Sequence, residues 1–157
     1  MPDSFVDHLH EVPDETVLYR RISWDLNRGR DSCPPGGTPS LNGNSFGDYS
    51  AERAQEYGYP SPCMSVGVDT ILHGLGFEPM KVLEDFDGYG LASIKAGDLR
   101  SLRRASGDAC PQGIMLSPTE AEPWHAVVFN LAGGSRPASV KRAIALVASW
   151  VVPLVNT

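Results

Sequence analysis

The first clear alternation of apolar and polar positions comes at residues 16–24, TVLYRRISW, where Leu18, Ile22 and Trp24 share one face and Val17 and Tyr19 the other. This spacing predicts a strand. It sets Arg20 on the first face and Arg21 on the second, so one guanidinium points into a largely apolar side and needs a partner there. Residues 1–15, ahead of the strand, are acidic and carry Pro2 and Pro13; they read as an extended or weakly helical arm with Phe5, Val6 and Leu9 available to dock. Residues 25–49, behind it, form a long stretch rich in Gly, Pro and Asn, with Phe46 and Tyr49 near its end as apolar anchors.

Further along, SAERAQEYG (50–58) has the Ser start, helix-forming middle and terminal Gly of a short helix. A strand around Met64 to Val66 leads into a helical turn through Asp69 to Leu75, which Gly74 and Gly76 end. EPMKVLEDF (78–86) reads as a short helix, YGLASIK (89–95) as a strand, and AGDLRSLRRASG (96–107) as a helix opened near Gly97 or Asp98 and closed by Gly107. GIMLSP and WHAVVFNLA give two more strands, the second nearly continuous in apolar residues from Ala126 to Leu131, as expected of a central strand covered on both faces. Ser139 is expected to cap a last helix whose apolar positions Val140, Ala143, Ile144, Val147 and Val151 recur at helical spacing. There is no internal repeat. Short strands mixed with segregated helices predict an α+β fold: a small twisted sheet, mixed or antiparallel, with packed helices that include the amphipathic C-terminal one.

The chain has 157 residues, which predicts one globular domain over residues 1–157. Too few residues precede the 25–49 stretch to fold alone, so it is a loop inside that domain rather than a linker. Loops beyond about 12–15 residues are uncommon in compact domains and are usually either functional or mobile. Hydrophobic residues make up 41% of the chain, too many for a chain that stays disordered. A net charge of -6 argues against general nucleic-acid binding, whose affinity comes from neutralising phosphates. The N-terminal residues lack a basic and apolar leader, and no stretch is long enough to span a bilayer, so the expected location is cytoplasmic, with no membrane partner. Cys33, Cys63 and Cys110 are odd in number and far apart, and predict free thiols. The spacings call for neither a metal nor a bound cofactor. Ten arginines against three lysines fit a GC-rich bacterial genome.

Candidate chemistry is scattered. His8 and His10 share a side of the arm, but without a convergent ligand set they read as solvated. His125 opens a strand beside Trp124 and reads as a partly buried histidine with one nitrogen satisfied, ahead of a general acid or base. Glu120 and Glu122 precede it in a polar loop. Arg100, Arg103 and Arg104 sit at i, i+3 and i+4 on an expected helix and read as a solvated face. Arg20 and Arg21 are fixed on a strand, and Arg28 and Arg30 border the long loop. Together with Ser45 and Phe46 of that loop they make the expected ligand-binding surface, suited to a small anionic ligand or a protein partner. No GxSxG, Walker, HExxH or GxGxxG motif is present.

The order VLYRRI, PSLNGNSF, CMSVGVD, GYGLASI and SPTEAEPWHAVV, over most of residues 15–130, resembles a set of uncharacterised small bacterial proteins sharing an LYRR-type strand, an SxxF-type loop and an MSV-type strand. A second resemblance is to the ADP-ribosyltransferase superfamily, whose small members begin with a strand ending in an arginine and use later hydroxyl and acidic positions to hold NAD. It implies those parts for Arg20 or Arg21, Ser65, and Glu120 or Glu122, although no STS-type or ExE-type motif stands in the expected context. No nucleophile, base and orienting group can be assembled from the sequence, so the expectation is a binding or accessory module, with an NAD-using transferase as the alternative. Convergence of Arg20 or Arg21, Ser65 and Glu122 on one cleft would discriminate the two.

Overall fold

The computed structural model describes residues 5–57 and 62–157. Its centre is β1 (Val17–Ile22), on which side chains alternate as the sequence predicts: Leu18 and Ile22 are buried in the larger core, and Tyr19 in a smaller core on the opposite face. Around β1 lie β2 (Met64–Val68), β3 (Gly90–Lys95), β4 (Gln112–Leu116), β5 (His125–Asn130) and β6 (Ser149–Val152). Among the described residues they form one sheet in the order β4-β5-β2-β1-β3-β6, every neighbouring pair antiparallel. The helices are short, and the fold is α+β: α1 (Trp24–Asn27), α2 (Ala51–Tyr57), α3 (Asp69–Gly74), α4 (Ala96–Arg100) and α5 (Ala138–Val147). β5 is central on its side and buried from His125 to Phe129, as its unbroken apolar run predicts.

The two sides of β1 are paired very unequally. Toward β3 the register runs without a break from Val17↔Lys95 to Ile22↔Gly90. Toward β2 it holds only at Leu18↔Val68 and Tyr19↔Gly67. β2 instead follows β5, paired from Met64↔Val128 to Gly67↔His125. The sheet therefore divides beyond Tyr19 into a β4-β5-β2 part and a β1-β3-β6 part.

The long loop is ordered by polar contacts at its base and an apolar plug at its end. Asn27 is buried; its Oδ1 accepts from the Asn42 N–H (2.8 Å) and the Ser45 hydroxyl (2.9 Å), while its Nδ2 donates to the Ser40 carbonyl (3.0 Å). Phe46, at the end of a 3-10 turn over Gly43–Phe46, is fully buried in the larger core. Gly43 allows that turn to lie against α5, because a Cβ there would stand 3.0 Å from the Arg142 backbone nitrogen.

Several expectations are corrected. Trp24 does not finish the first strand but starts α1, which Ser23 caps by accepting from the Leu26 N–H, so a helical turn opens the 25–49 stretch. The helix expected over 78–86 is a 3-10 helix confined to Pro79–Leu83. The helix expected over 96–107 stops at Arg100, because the chain turns back on itself, with the Cys110 N–H on the Leu102 carbonyl and the Arg104 N–H on the Asp108 carbonyl. Arg100, Arg103 and Arg104 therefore share no helix face, and Arg100 pairs with Asp7 and Asp14 of the arm. Pro137, not Ser139, stands at the N-cap of α5, and Val151 lies on the edge strand β6 rather than on the helix. The run SWVV is β-branched and aromatic, and Pro153 cannot continue a helix, so strand pairing with β3 prevails. In the arm, Phe5 stacks on Phe129 at 4.6 Å and Val12 is buried, while Val6 and Leu9 face solvent.

Candidate functional site

The division of the sheet opens a cleft of about 560 Å³. One wall is the end of β1 and the other is β2 with the start of β5. The long loop, through Asn44, Gly47, Asp48, Tyr49 and Ser50, closes one side, and Val82, Phe86 and Tyr89 line the opposite side.

Arg20 spans the opening. Beyond the last β1–β2 ladder pair its side chain bridges to β2, Nη1 donating to the Ser65 carbonyl at 2.9 Å, while Nε donates to the Ser45 carbonyl of the long loop at 3.0 Å. Both acceptors are neutral, and among the described residues no carboxylate lies within ion-pair distance of this guanidinium. Burial, with Arg136 and Arg21 nearby, lowers its pKa to about 10, so it is still a cation at neutral pH. Arg21 turns to the other face. It donates to the Val82 carbonyl at 2.6 Å, pairs with Glu122, and lies 3.8 Å from the Phe86 ring centroid.

On the facing wall the Ser65 hydroxyl is 2.7 Å from His125 Nε2, and His125 Nδ1 is 2.8 Å from the Ser117 carbonyl. A carbonyl only accepts, so Nδ1 carries the proton and Nε2 is left to accept from Ser65. Burial pushes the His125 pKa below the ordinary histidine value, which keeps the ring neutral. The turn before β5 is closed by the His125 N–H on the Glu122 carbonyl (3.0 Å) and the Glu122 N–H on Thr119 Oγ1 (2.9 Å), which fixes both Glu122 and His125 against β2.

Arg20, Arg21, Ser65, Glu122 and His125 thus share one cleft. Glu120 is exposed and does not line it. Ser45 and Phe46 are buried behind the wall: Ser45 holds Arg20 by its carbonyl, and Phe46 anchors the loop. Arg28 and Arg30 are exposed and stand apart from it. Arg28 borders a smaller hollow of about 340 Å³ within the loop, and Arg30 lies over the Trp24 ring. Sequence reasoning missed Arg136, a buried cation that pairs with Asp48 and donates to the Val128 carbonyl at 2.9 Å, tying the loop wall to β5. Nothing in the local sequence GGSRPAS signals a buried arginine. It also missed Arg53, which lines the cleft mouth from α2.

Among the described residues no three His, Cys, Asp or Glu side chains are grouped to hold a metal, and no helix is long and apolar enough to cross a membrane. Cys33, Cys63 and Cys110 are free and buried, and burial raises the Cys63 thiol to about 11. No family model, no curated protein and no solved structure matches the chain.

Proposed function

We propose that the cleft between β1 and β2 binds a nicotinamide dinucleotide and breaks its N-glycosidic bond, passing ADP-ribose to water or to an acceptor. The observation that carries this reading is the convergence of Arg20, Ser65 and Glu122, from three separate elements, on one cleft. These are the positions that the resemblance to ADP-ribosyltransferases singles out. Arg20, a desolvated cation without a carboxylate partner among the described residues, suits a pyrophosphate, and the rings of Tyr49, Phe86, Tyr89 and Trp124 suit flat heterocycles. As the bond from the ribose anomeric carbon to the nicotinamide nitrogen breaks, the electron pair leaves with nicotinamide and positive charge develops on the sugar. A carboxylate that hydrogen-bonds a ribose hydroxyl stabilises that charge; of the two cleft carboxylates, Asp48 is paired with the buried Arg136, and Glu122 is the one this reading assigns to the role. The incoming hydroxyl then bonds to the anomeric carbon and releases its proton.

A non-catalytic module for an anionic nucleotide is the second reading, favoured by the engagement of Glu122 with Arg21. Calorimetric titration with NAD, together with chromatographic assay of released nicotinamide, separates the two. Expected results are saturable binding weakened about 10- to 100-fold in Arg20→Gln, and nicotinamide release lost in Glu122→Gln with binding retained. Binding without release selects the module. Failure of NAD, ADP-ribose and pyrophosphate alike to bind overturns both.

A further inference from the structure

Ser65 and His125 have a relation that binding of a dinucleotide does not require. Ser65 Oγ sits 2.7 Å from an imidazole nitrogen, and the far nitrogen of the same ring is fixed by the Ser117 carbonyl at 2.8 Å. A hydroxyl, a base and a group that sets the base's tautomer are the three parts that activate a serine, and here they come from β2, from β5 and from the turn between β4 and β5. The backbone holds them in place: the Ser117 N–H donates to the His125 carbonyl (2.9 Å), and Ser65 is paired with Val127 in the β2–β5 ladder. Both side chains line the cleft.

We propose that Ser65 is an activated nucleophile, with His125 as its base, and that the cleft carries out acyl transfer from small esters bearing an anionic group. Ser65 Oγ attacks the acyl carbon while its proton passes to His125 Nε2. The carbon–oxygen bond to the leaving alcohol then breaks, and the departing alkoxide takes that proton. Water repeats the sequence on the acyl-serine, releasing the acid and restoring Ser65. Arg20, bonded to the carbonyl of Ser65 itself, brings positive charge to this residue and selects an acyl group with its own carboxylate. Nothing in this proposal depends on NAD as a substrate.

The test treats the full chain with a fluorophosphonate, in which Ser65 Oγ displaces fluoride from phosphorus, and locates the adduct by peptide mass mapping. One adduct per chain at Ser65 is expected, absent in Ser65→Ala. His125→Gln should slow labelling by roughly 100-fold, the size of a lost general base. If that variant fails to fold, the pH profile of the unaltered protein decides. Labelling should be constant above the ordinary histidine pKa of 6.5 and fall at lower pH as His125 is protonated. A nitrophenyl ester of a dicarboxylic acid should turn over faster than nitrophenyl acetate, and Arg20→Gln should remove the difference. No adduct, an adduct elsewhere, or a labelling rate that never falls as pH is lowered below 6.5 overturns the proposal; equal turnover of the two esters overturns the selection by Arg20.

Discussion

The two edges of β1 solve the same problem differently. On the β3 side, six consecutive residues are satisfied by a partner backbone, and the result is closed structure buried on both faces. On the β2 side, two residues are paired and a side chain then takes over, since Arg20 Nη1 supplies a donor to the Ser65 carbonyl where the ladder no longer does. A strand edge that would otherwise leave its polar groups unmet becomes a cleft lined by a cation. The difference separates what a strand contributes to stability from what it contributes to chemistry. The closed edge and the core beneath it resist change, whereas the open edge carries the groups that can act on a ligand.

The largest effect should come from the core side of the strand. Ile22 is fully buried next to the division, and Ile22→Ala is expected to lower the unfolding free energy by roughly 2–5 kcal/mol, read from urea denaturation. A loss of unfolding free energy below that range would mean that the two sides of β1 are equally soft. Arg20→Gln belongs to the open side. It should weaken an anionic ligand by about 10- to 100-fold in calorimetry, the equivalent of one charge-assisted hydrogen bond, and its cost to stability should be smaller than that of Ile22→Ala.

A third measurement sharpens the contrast through pH. His125 has a lowered folded pKa, so the unfolded chain binds its proton more readily. Its contribution to stability is fully present above pH 6.5, the unfolded value, and is lost as pH falls toward the folded one. His125→Gln should flatten stability against pH in that window, and an unchanged slope would remove His125 from the account. Glu120→Ala sets the floor. The side chain is exposed and outside the cleft, so its effect on stability should stay within about 0.5 kcal/mol, with ligand binding unaltered.

Much of the closed side could be read from the sequence, and little of the open side. Leu18, Ile22 and the run from Ala126 to Phe129 announce themselves because burial of a strand leaves a period of two or an unbroken apolar stretch. The need of a strand arginine for a partner was equally legible, and Arg20 found it in the Ser45 carbonyl of the long loop. What carries no local signal is the place where pairing stops, because that depends on β2 following β5 while β1 follows β3. Ser65 and His125 lie sixty residues apart, and only the β2–β5 register brings them together. Arg136 carries no signal for the same reason: its charge partner Asp48 lies far away in sequence, on the long loop. The β6 strand was lost to a helical pattern that ran on past the end of α5.

The N-terminal arm settles a different matter, the fate of the sheet's β4 rim. The His8 N–H donates to the Ile114 carbonyl, Asp7 Oδ1 accepts from the Ile114 N–H, and His8 Nδ1 accepts from the Leu116 N–H. These contacts occupy sites that a strand from another molecule would otherwise use, and the Asp7–Arg100 and Asp14–Arg100 ion pairs hold the arm across them. The arm therefore satisfies the Ile114 and Leu116 edge groups within the chain itself, and its hold includes a Coulombic part that salt weakens.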